Sequence, residues 1–162
     1  MYTSFCAGLS RLCLMAAVVL LLAVVASVQW QVFGRYVLND TPTWAEALSM
    51  LMVLFVTALG LAVGVRDAGH IGLESMVALL PEVWQRRIEL LIHALVGVFG
   101  VLVTMGGWQW ASAKWTEKKP MLPVPDGIDY VPLVIAGILI VLFSVEHILA
   151  NLRGTVVEPA WN

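Results

Sequence analysis

Residues 12–34, LCLMAAVVLLLAVVASVQWQVFG, are a run of 23 residues without a charged side chain, bounded by Arg11 and Arg35. The hydrocarbon core of a bilayer is about 30 Å thick and an α-helix rises about 1.5 Å per residue, so about 20 residues cross it. A spanning segment must be helical because lipid cannot pair with a free backbone amide. The run exceeds the apolar part of a cleaved signal peptide, about 7–15 residues. It therefore predicts a retained transmembrane helix.

Three further apolar segments extend this pattern to the whole chain. The predicted spans cover about 12–34, 46–65, 88–113 and 130–152. The last contains Glu146 and His147, which fits a span if both lie near the headgroups. Of the 162 residues, 60% are hydrophobic and 12% charged, against about 25% charged in soluble domains. The sequence predicts an all-α integral membrane protein with a single four-helix domain over residues 1–162, and the net charge of −2 gives no reason to expect nucleic acid.

The segments between the spans carry helix-start signals. Before the second span, Thr43 is predicted as the N-cap, and Glu46 three residues later completes a capping box. After that span, residues 72–80 place apolar side chains on one helical face, which predicts a short amphipathic helix in the interface. Those side chains are Leu73, Met76, Val77 and Leu80. Pro81 then suits the first turn of the next helix.

Flanking charges give a weak indication of orientation. With four spans, both termini and the second connection share one side, which carries five arginines, against four basic residues on the other. The excess favours cytoplasmic termini under the positive-inside rule. The five are Arg11, Arg66, Arg86, Arg87 and Arg153, and the four are Arg35, Lys114, Lys118 and Lys119. An interfacial belt gathers on the second side at Trp30, Trp44, Trp108, Trp110 and Trp115.

The middle of every predicted span lacks an ionisable side chain. A charge there costs about 2.5–3.5 kcal/mol and marks a transport or relay site, so the chain is a poor candidate for a self-sufficient pump. Cys6 and Cys13, seven residues apart on one helix, would lie about 10 Å apart along its axis, too far for a disulfide. Thiol–disulfide chemistry is therefore excluded.

Three histidines give the best enzyme-class alternative. His93 lies near the start of the third span and His147 near the end of the fourth, so antiparallel helices bring both to one side, and His70 lies in the connection on that side. A membrane anchor subunit that holds haem between two histidines needs such an arrangement. The simpler interpretation is that these histidines hydrogen-bond to headgroups, Glu89 or Glu146.

Small residues recur at a spacing that suits close helix packing. Gly60 and Gly64 form a GxxxG motif at the end of the second span, and Ala23 and Ser27 share its spacing. Such faces let two helices approach closely in lipid. The contact lies either within the bundle or with another subunit, and we expect internal packing.

Several short motifs occur in a fixed order along the chain. They are Arg35-Tyr36, Trp44-x-Glu46, Gly60, Arg66-Asp67-Ala68-Gly69-His70, Leu80-Pro81 and Pro125-Asp126-Gly127-Ile128-Asp129-Tyr130-Val131-Pro132. In this order and spacing they resemble the small membrane subunit of TRAP (tripartite ATP-independent periplasmic) transporters, the DctQ-like family, over about residues 12–152. One departure is Ala47, where many members of the family carry a second acidic residue.

The resemblance implies a non-catalytic subunit that braces a large, many-helix permease subunit and helps to dock a periplasmic substrate-binding protein. It implies that the large subunit carries the sodium and the substrate, a small organic acid, so that this chain holds no cofactor. It also implies a multi-pass protein of the bacterial inner membrane with cytoplasmic termini. The helix at 72–80 would then anchor the scaffold against tilting.

Contacts with a partner subunit or with membrane lipid are expected at seven positions. These are Arg35, Tyr36, Trp44, Glu46, Gly60, Gly64 and His70. Membrane anchoring and helix capping are the alternative roles for Arg35, Trp44 and Glu46. Lys118 and Lys119 face either an acidic patch of the binding protein or, as we expect, solvent.

Two other classes of function remain as hypotheses. One is a haem- or quinone-associated anchor subunit of a membrane oxidoreductase. The other is a self-associating four-helix channel, which the scarcity of polar residues along the spans disfavours.

Overall fold

The fold is a computed structural model that describes residues 2–40, 42–68, 81–155 and 157. In this part of the chain four helices are long and apolar enough to cross a membrane. They are α1 (Tyr2–Phe33), α2 (Thr43–Val63), α3 (Glu82–Ala113) and α4 (Val131–Arg153). The predicted all-α fold with four spans is confirmed. The interfacial helix predicted at 72–80 and the residue His70 lie outside the described residues.

Both helices of the first pair continue into a π-helical turn, Gly34–Leu38 after α1 and Gly64–Ala68 after α2. The first turn closes tightly, because a Cβ on Gly34 would lie 2.8 Å from the Asp40 carbonyl oxygen and 3.0 Å from Pro42 Cδ. Asn39 ends this turn with a φ of 57°, a left-handed conformation that asparagine tolerates better than most residues. A glycine at position 34 is therefore required by the return of the chain into α2.

The predicted capping box at the start of α2 is wrong. Pro42 occupies the N-cap, Thr43 is already the first helical residue, and no side chain caps the helix. The backbone amide of Ala45 instead bonds to the Pro42 carbonyl oxygen at 3.1 Å. Glu46 is exposed in the first turn, where a carboxylate still favours the positive end of the helix dipole. At α3, Pro81 likewise stands one position before the helix, as its N-cap.

The helices pack as two antiparallel hairpins, α1 with α2 and α3 with α4, and α4 joins them by also packing against α2 and α1. The α3–α4 seam consists of small residues. A Cβ on Gly100 would lie 2.9 Å from Ile140 and 3.0 Å from the Gly137 carbonyl oxygen, and one on Gly107 would lie 3.0 Å from Val134. Close backbone approach of this kind drives helix association in lipid.

The GxxxG motif of α2 has a different environment from the one expected. A Cβ on Gly60 or Gly64 would meet no atom of the described chain within 4 Å. The expectation that this motif packs inside the bundle is therefore wrong. Internal close packing belongs to α3 and α4, and the α2 glycines are left open.

Candidate functional site

The strongest concentration of buried charge lies where the end of α2 meets α1 and α4. Arg66 and Asp67 belong to the π-helical turn after α2, and Glu146 belongs to α4. Their exposed fractions are 3%, 8% and 0%. Glu146 precedes Arg153, the end of α4, by seven residues, which places it about 10 Å along the helix axis from that end. We call Arg66, Asp67, Glu146 and Ser10 the ionic cluster.

The cluster ties three helices together through hydrogen bonds between charged groups. Arg66 donates to Glu146 through Nε at 2.9 Å and Nη2 at 3.0 Å, and through Nη1 to Asp67 Oδ1. Ser10 of α1 donates to Asp67 Oδ2 at 2.6 Å. The two-pronged arginine–carboxylate pair combines charge with fixed geometry and is among the strongest of protein hydrogen bonds. The cluster can therefore hold α1, α2 and α4 in one arrangement.

Two histidines form a second layer beside the cluster. His147 Nε2 lies 3.0 Å from the Arg66 carbonyl oxygen, so this nitrogen is the donor. The ring of His93 stacks on that of His147, with centroids 4.3 Å apart and planes 5° from parallel. One step outward, Asn151 Nδ2 donates to Glu89 Oε2 at 2.7 Å. These side chains link α3 to the end of α4 and, through Arg66, to α2.

This geometry does not favour the haem hypothesis. Two histidines that ligate one haem iron must have a porphyrin plane between them, and rings stacked at 4.3 Å leave no space for it. His147 Nε2 already bonds to the Arg66 carbonyl oxygen. In the described part of the chain, no three His, Cys, Asp or Glu side chains are grouped to hold a metal ion. Cys6 and Cys13 are buried free thiols, as the sequence indicated.

Four of the seven residues predicted as interface contacts lie at the opposite end of the bundle. Arg35 and Tyr36 lie in the turn after α1, and Trp44 and Glu46 lie in the first turn of α2. All four are exposed, Tyr36 by 81% and Trp44 by 48%. None of the ion pairs among the described residues involves Arg35 or Glu46. Their role in partner or lipid contacts stays a prediction, as does that of the open glycines.

A short polar ladder joins α1 to α2 below this exposed end. Gln31 Nε2 donates to Ser49 Oγ at 3.2 Å, and Ser49 Oγ lies 2.9 Å from Ser27 Oγ. Ser49 also donates to the Ala45 carbonyl oxygen at 2.8 Å. Ser27, expected to offer a small surface for packing, thus contributes a hydroxyl group to a helix–helix contact.

The connection between α3 and α4 is stiffened by ion pairs at the same end. Lys114 Nζ lies 2.8 Å from Glu117 and 3.6 Å from Asp126, and Lys119 pairs with Asp129. The hydrogen bond that Lys114 donates to Glu117 raises the pKa of Lys114 above its ordinary value. The expectation that Lys119 faces solvent is wrong because Asp129 holds its ammonium group, whereas Lys118 is exposed as expected.

The sequence contains a signal for the ionic cluster. An acidic residue inside an apolar span is costly unless it is paired, and Glu146 interrupts the fourth span. Arg66, at the end of the second span, is one of the five arginines predicted on the same side. Glu146 is fully buried, because Arg66 supplies the opposite charge.

Comparison with known proteins adds a family to this geometry. The family model described as "Tripartite ATP-independent periplasmic transporters, DctQ component" matches residues 24–154. The sialic acid TRAP transporter small permease protein SiaQ of Vibrio cholerae is 25% identical over 132 residues, 80% of this chain and 75% of that protein.

Two C4-dicarboxylate TRAP transporter small permease proteins, both named DctQ, also match. That of Vibrio cholerae is 25% identical over 104 residues, 61% of this chain and 44% of the relative. That of Pseudomonas aeruginosa is 29% identical over 77 residues, 48% of this chain and 37% of the relative. The matched part thus spans less than half the length of either DctQ protein.

Proposed function

The chain belongs to the DctQ-component family of tripartite ATP-independent periplasmic transporters, and from this premise we propose that it braces the large permease subunit and helps to dock a substrate-binding protein. Members of this family are non-catalytic small permease subunits, and the four apolar helices make this one a multi-pass membrane protein. Sodium coupling, the inner membrane and a small organic acid as substrate are parts of the proposal.

The observation that carries a bracing role is the internal use of buried charge. Arg66 and Glu146 are bonded to each other through two hydrogen bonds, and Asp67 is held by both Arg66 and Ser10. Groups engaged in this way stabilise a fixed arrangement of helices, whereas a transport site must release its ligand. We therefore assign sodium and substrate to the large subunit and no cofactor to this chain.

The open glycines of α2 supply a surface for that large subunit. Gly60 and Gly64 lie one helical turn apart, and a Cβ on either would meet no described atom within 4 Å. A helix of a second protein could approach the α2 backbone closely there and gain van der Waals contact that lipid chains provide less well. The exposed apolar face of α1, which packs beside α2, widens this surface.

The end that carries Arg35 and Trp44 is proposed to face the periplasm. Cytoplasmic termini agree with the arginine excess at the other end. The α3–α4 connection, held by Lys114 and Lys119, would then form a firm periplasmic platform. Exposed Lys118 and Arg35 offer positive charge to a binding protein docking on that platform.

The substrate class is proposed from the names of the relatives. One relative is named for sialic acid and two for C4-dicarboxylates, and all of these compounds carry carboxylate groups. The substrate proposed here is accordingly a small organic acid, whose selection would depend on the other two subunits.

The proposal is tested by co-purification and uptake. A C-terminally tagged chain, expressed with its neighbouring genes, should co-elute in mild detergent with a large hydrophobic protein at a constant ratio. Proteoliposomes with both proteins and the binding protein should then take up the acid only with an inward sodium gradient. A chain that elutes alone would contradict the proposal. Uptake that proceeds equally well without this chain would also contradict it.

A glycine variant separates the partner surface from the fold. Gly60→Leu combined with Gly64→Leu should leave the isolated chain folded and reduce co-elution of the large protein. Gly106→Leu is the matched control, because a Cβ on Gly106 also meets no atom within 4 Å but lies on α3. Equal losses in both variants would show that the α2 face has no special role.

A further inference from the structure

Three exposed arginines gather where the start of α3 meets the end of α4. Arg86 and Arg87 lie in the first turns of α3, and Arg153 is the last residue of α4. We propose that this corner, the arginine corner, binds the headgroup of an anionic phospholipid. The proposal concerns the chain alone and does not depend on its role in a transporter.

Arg86 is held in place before any ligand arrives. Its Nη2 donates to the Leu152 carbonyl oxygen at 3.0 Å and its Nε donates to Asn151 Oδ1 at 3.3 Å. These bonds fix the guanidinium group of Arg86 against Asn151 and Leu152, the two residues that precede Arg153. A ligand that meets a prepositioned side chain loses less of its binding energy to ordering that side chain.

Glu89, the one carboxylate described near this corner, bonds to Asn151 and not to an arginine. Glu89 accepts a hydrogen bond from Asn151 Nδ2, while Asn151 Oδ1 accepts from Arg86. Asn151 thus stands between the acid and the arginine. None of the ion pairs among the described residues involves Arg86, Arg87 or Arg153. Within the described part of the chain, the positive charge of the corner is therefore left for a ligand.

Trp84 places the corner at the depth of lipid headgroups. Its indole ring is 56% exposed, and the guanidinium carbon of Arg87 lies 5.7 Å from the ring centroid. Tryptophan is enriched at the membrane–water interface because its ring is apolar and its N–H is polar. An arginine stacked on such a ring is held at the level of the phosphodiester groups.

Apolar side chains continue from the corner toward the middle of the membrane. Leu91 and Leu95 of α3 are 59% and 61% exposed, and Leu152 and Val145 of α4 are 56% and 40% exposed. A phospholipid bound through its phosphate could lay its acyl chains along these residues. A soluble phosphate would gain none of this contact, which favours a lipid over a free anion.

The basic residues at the other end of the bundle are arranged differently. Lys114 and Lys119 are paired with the carboxylates of Glu117, Asp126 and Asp129. Two of the three lysines in the α3–α4 connection are thus paired with carboxylates, whereas no described ion pair involves the arginine corner. Because basic residues next to a membrane attract anionic lipids, the corner is the better lipid site.

Native mass spectrometry of the full-length chain tests the proposal. Delipidated chain in detergent is mixed with dioleoylphosphatidylglycerol, dioleoylphosphatidylcholine or glycerol phosphate. We expect phosphatidylglycerol to be retained and to raise the melting temperature. Arg87→Gln combined with Arg153→Gln should weaken its binding about 30-fold. Arg86 is left unchanged, so the contact that ends α4 is preserved.

A control variant, Lys118→Gln, removes an exposed cation from the opposite end. It should bind phosphatidylglycerol as the parent does. Equal retention of phosphatidylcholine would overturn the proposal, and so would unchanged phosphatidylglycerol binding in the arginine-corner variant. An equal rise in melting temperature with glycerol phosphate would assign the corner to a soluble anion and would also overturn it.

Discussion

Charged side chains at the two ends of α2 are used in opposite ways. At the end with both termini, Arg66 and Glu146 are buried and joined by two hydrogen bonds. At the other end, Arg35 and Glu46 are exposed, and no ion pair among the described residues involves either. Arg66 and Glu146 thus join helices to each other, whereas Arg35 and Glu46 present their charge outward.

This difference shows that the residues recognisable in the sequence are not the ones on which the fold depends. Arg35, Trp44 and Glu46 are recognisable in the sequence, yet the isolated chain has little structural need of them. Glu146 belongs to none of the motifs that carry the resemblance, yet it lies at the centre of the contact among three helices. Removing a buried partner exposes the full cost of an unpaired charge, whereas removing an exposed one costs little.

The largest effect is expected from breaking the ionic cluster. Arg66→Met leaves the carboxylates of Glu146 and Asp67 buried without their cation. Breaking a buried pair in this way costs about 3–5 kcal/mol in the free energy of unfolding. Thermal and denaturant unfolding of the purified chain in mild detergent would measure the loss.

Two controls decide whether charge is the cause. Arg35→Met makes the same side-chain change at the exposed end and should leave the free energy of unfolding nearly unchanged. Adding Glu146→Leu and Asp67→Asn to Arg66→Met removes all charge from the cluster and should recover much of the stability, because an apolar replacement avoids the desolvation cost. The comparison between the ends fails if Arg66→Met and Arg35→Met unfold alike.

A smaller loss is expected in the seam that connects the two ends. In Gly137→Ala the new Cβ would lie 2.7 Å from the Gly100 carbonyl oxygen and 2.8 Å from the Thr104 nitrogen. Overpacking of this kind costs about 1–3 kcal/mol. Gly60→Ala is the matched control, since a Cβ at that position would meet no described atom within 4 Å. Equal unfolding temperatures for the two variants would show that the seam relaxes and that close packing is not what holds α3 to α4.

The number and type of helices could be predicted from hydropathy, because lipid imposes helical structure on any long apolar run. The packing could be predicted less well. Gly97, Gly100, Thr104, Gly107 and Ala111 follow each other at steps of three and four residues, a helical stripe that marks the α3–α4 seam. The GxxxG motif indicated close packing at α2 instead. The neighbouring residues in the sequence do not distinguish a glycine that packs inside the bundle from one that faces outward.

The candidate site was harder to predict for a related reason. Arg66 and Glu146 are separated by 80 positions, so their pairing depends on which helices become neighbours. The π-helical turn at Gly64–Ala68 also brings Arg66 inward, and a regular helix assumed from the sequence gives no hint of it. The prediction that Thr43 is the N-cap was also wrong, because the helix begins at Thr43 itself, directly after Pro42.

A modest effect is expected from the polar ladder, which belongs to the exposed end but is itself internal. Ser49→Ala removes the hydroxyl that accepts from Gln31 and lies beside Ser27. Hydrogen bonds between membrane helices contribute about 0.6 kcal/mol on average, and the loss should be of this size. Ser112→Ala is the control, since that hydroxyl bonds only to Gln109 of its own helix and is exposed. A loss above that of Gly137→Ala would show that polar contacts dominate this end too.

The smallest effect on stability, and the most informative for function, is expected from Arg35→Ala combined with Glu46→Ala. Both side chains are exposed, so the free energy of unfolding should stay within about 0.5 kcal/mol of the parent. Co-elution with the large permease protein should nevertheless fall if this end presents its charges to a partner.

Asp40→Asn is the control for that measurement, because Asp40 is exposed in the same turn and is not among the predicted contacts. A double variant that unfolds early would mean that Arg35 and Glu46 support the fold, and the contrast between the two ends would be lost. A double variant that is stable and co-elutes like the parent would preserve the contrast between the two ends. Membrane anchoring would then be the role left for Arg35 and Glu46. Only a stable chain with a weakened partner contact assigns the exposed charges to assembly, because stability and association then depend on different ends of the same bundle.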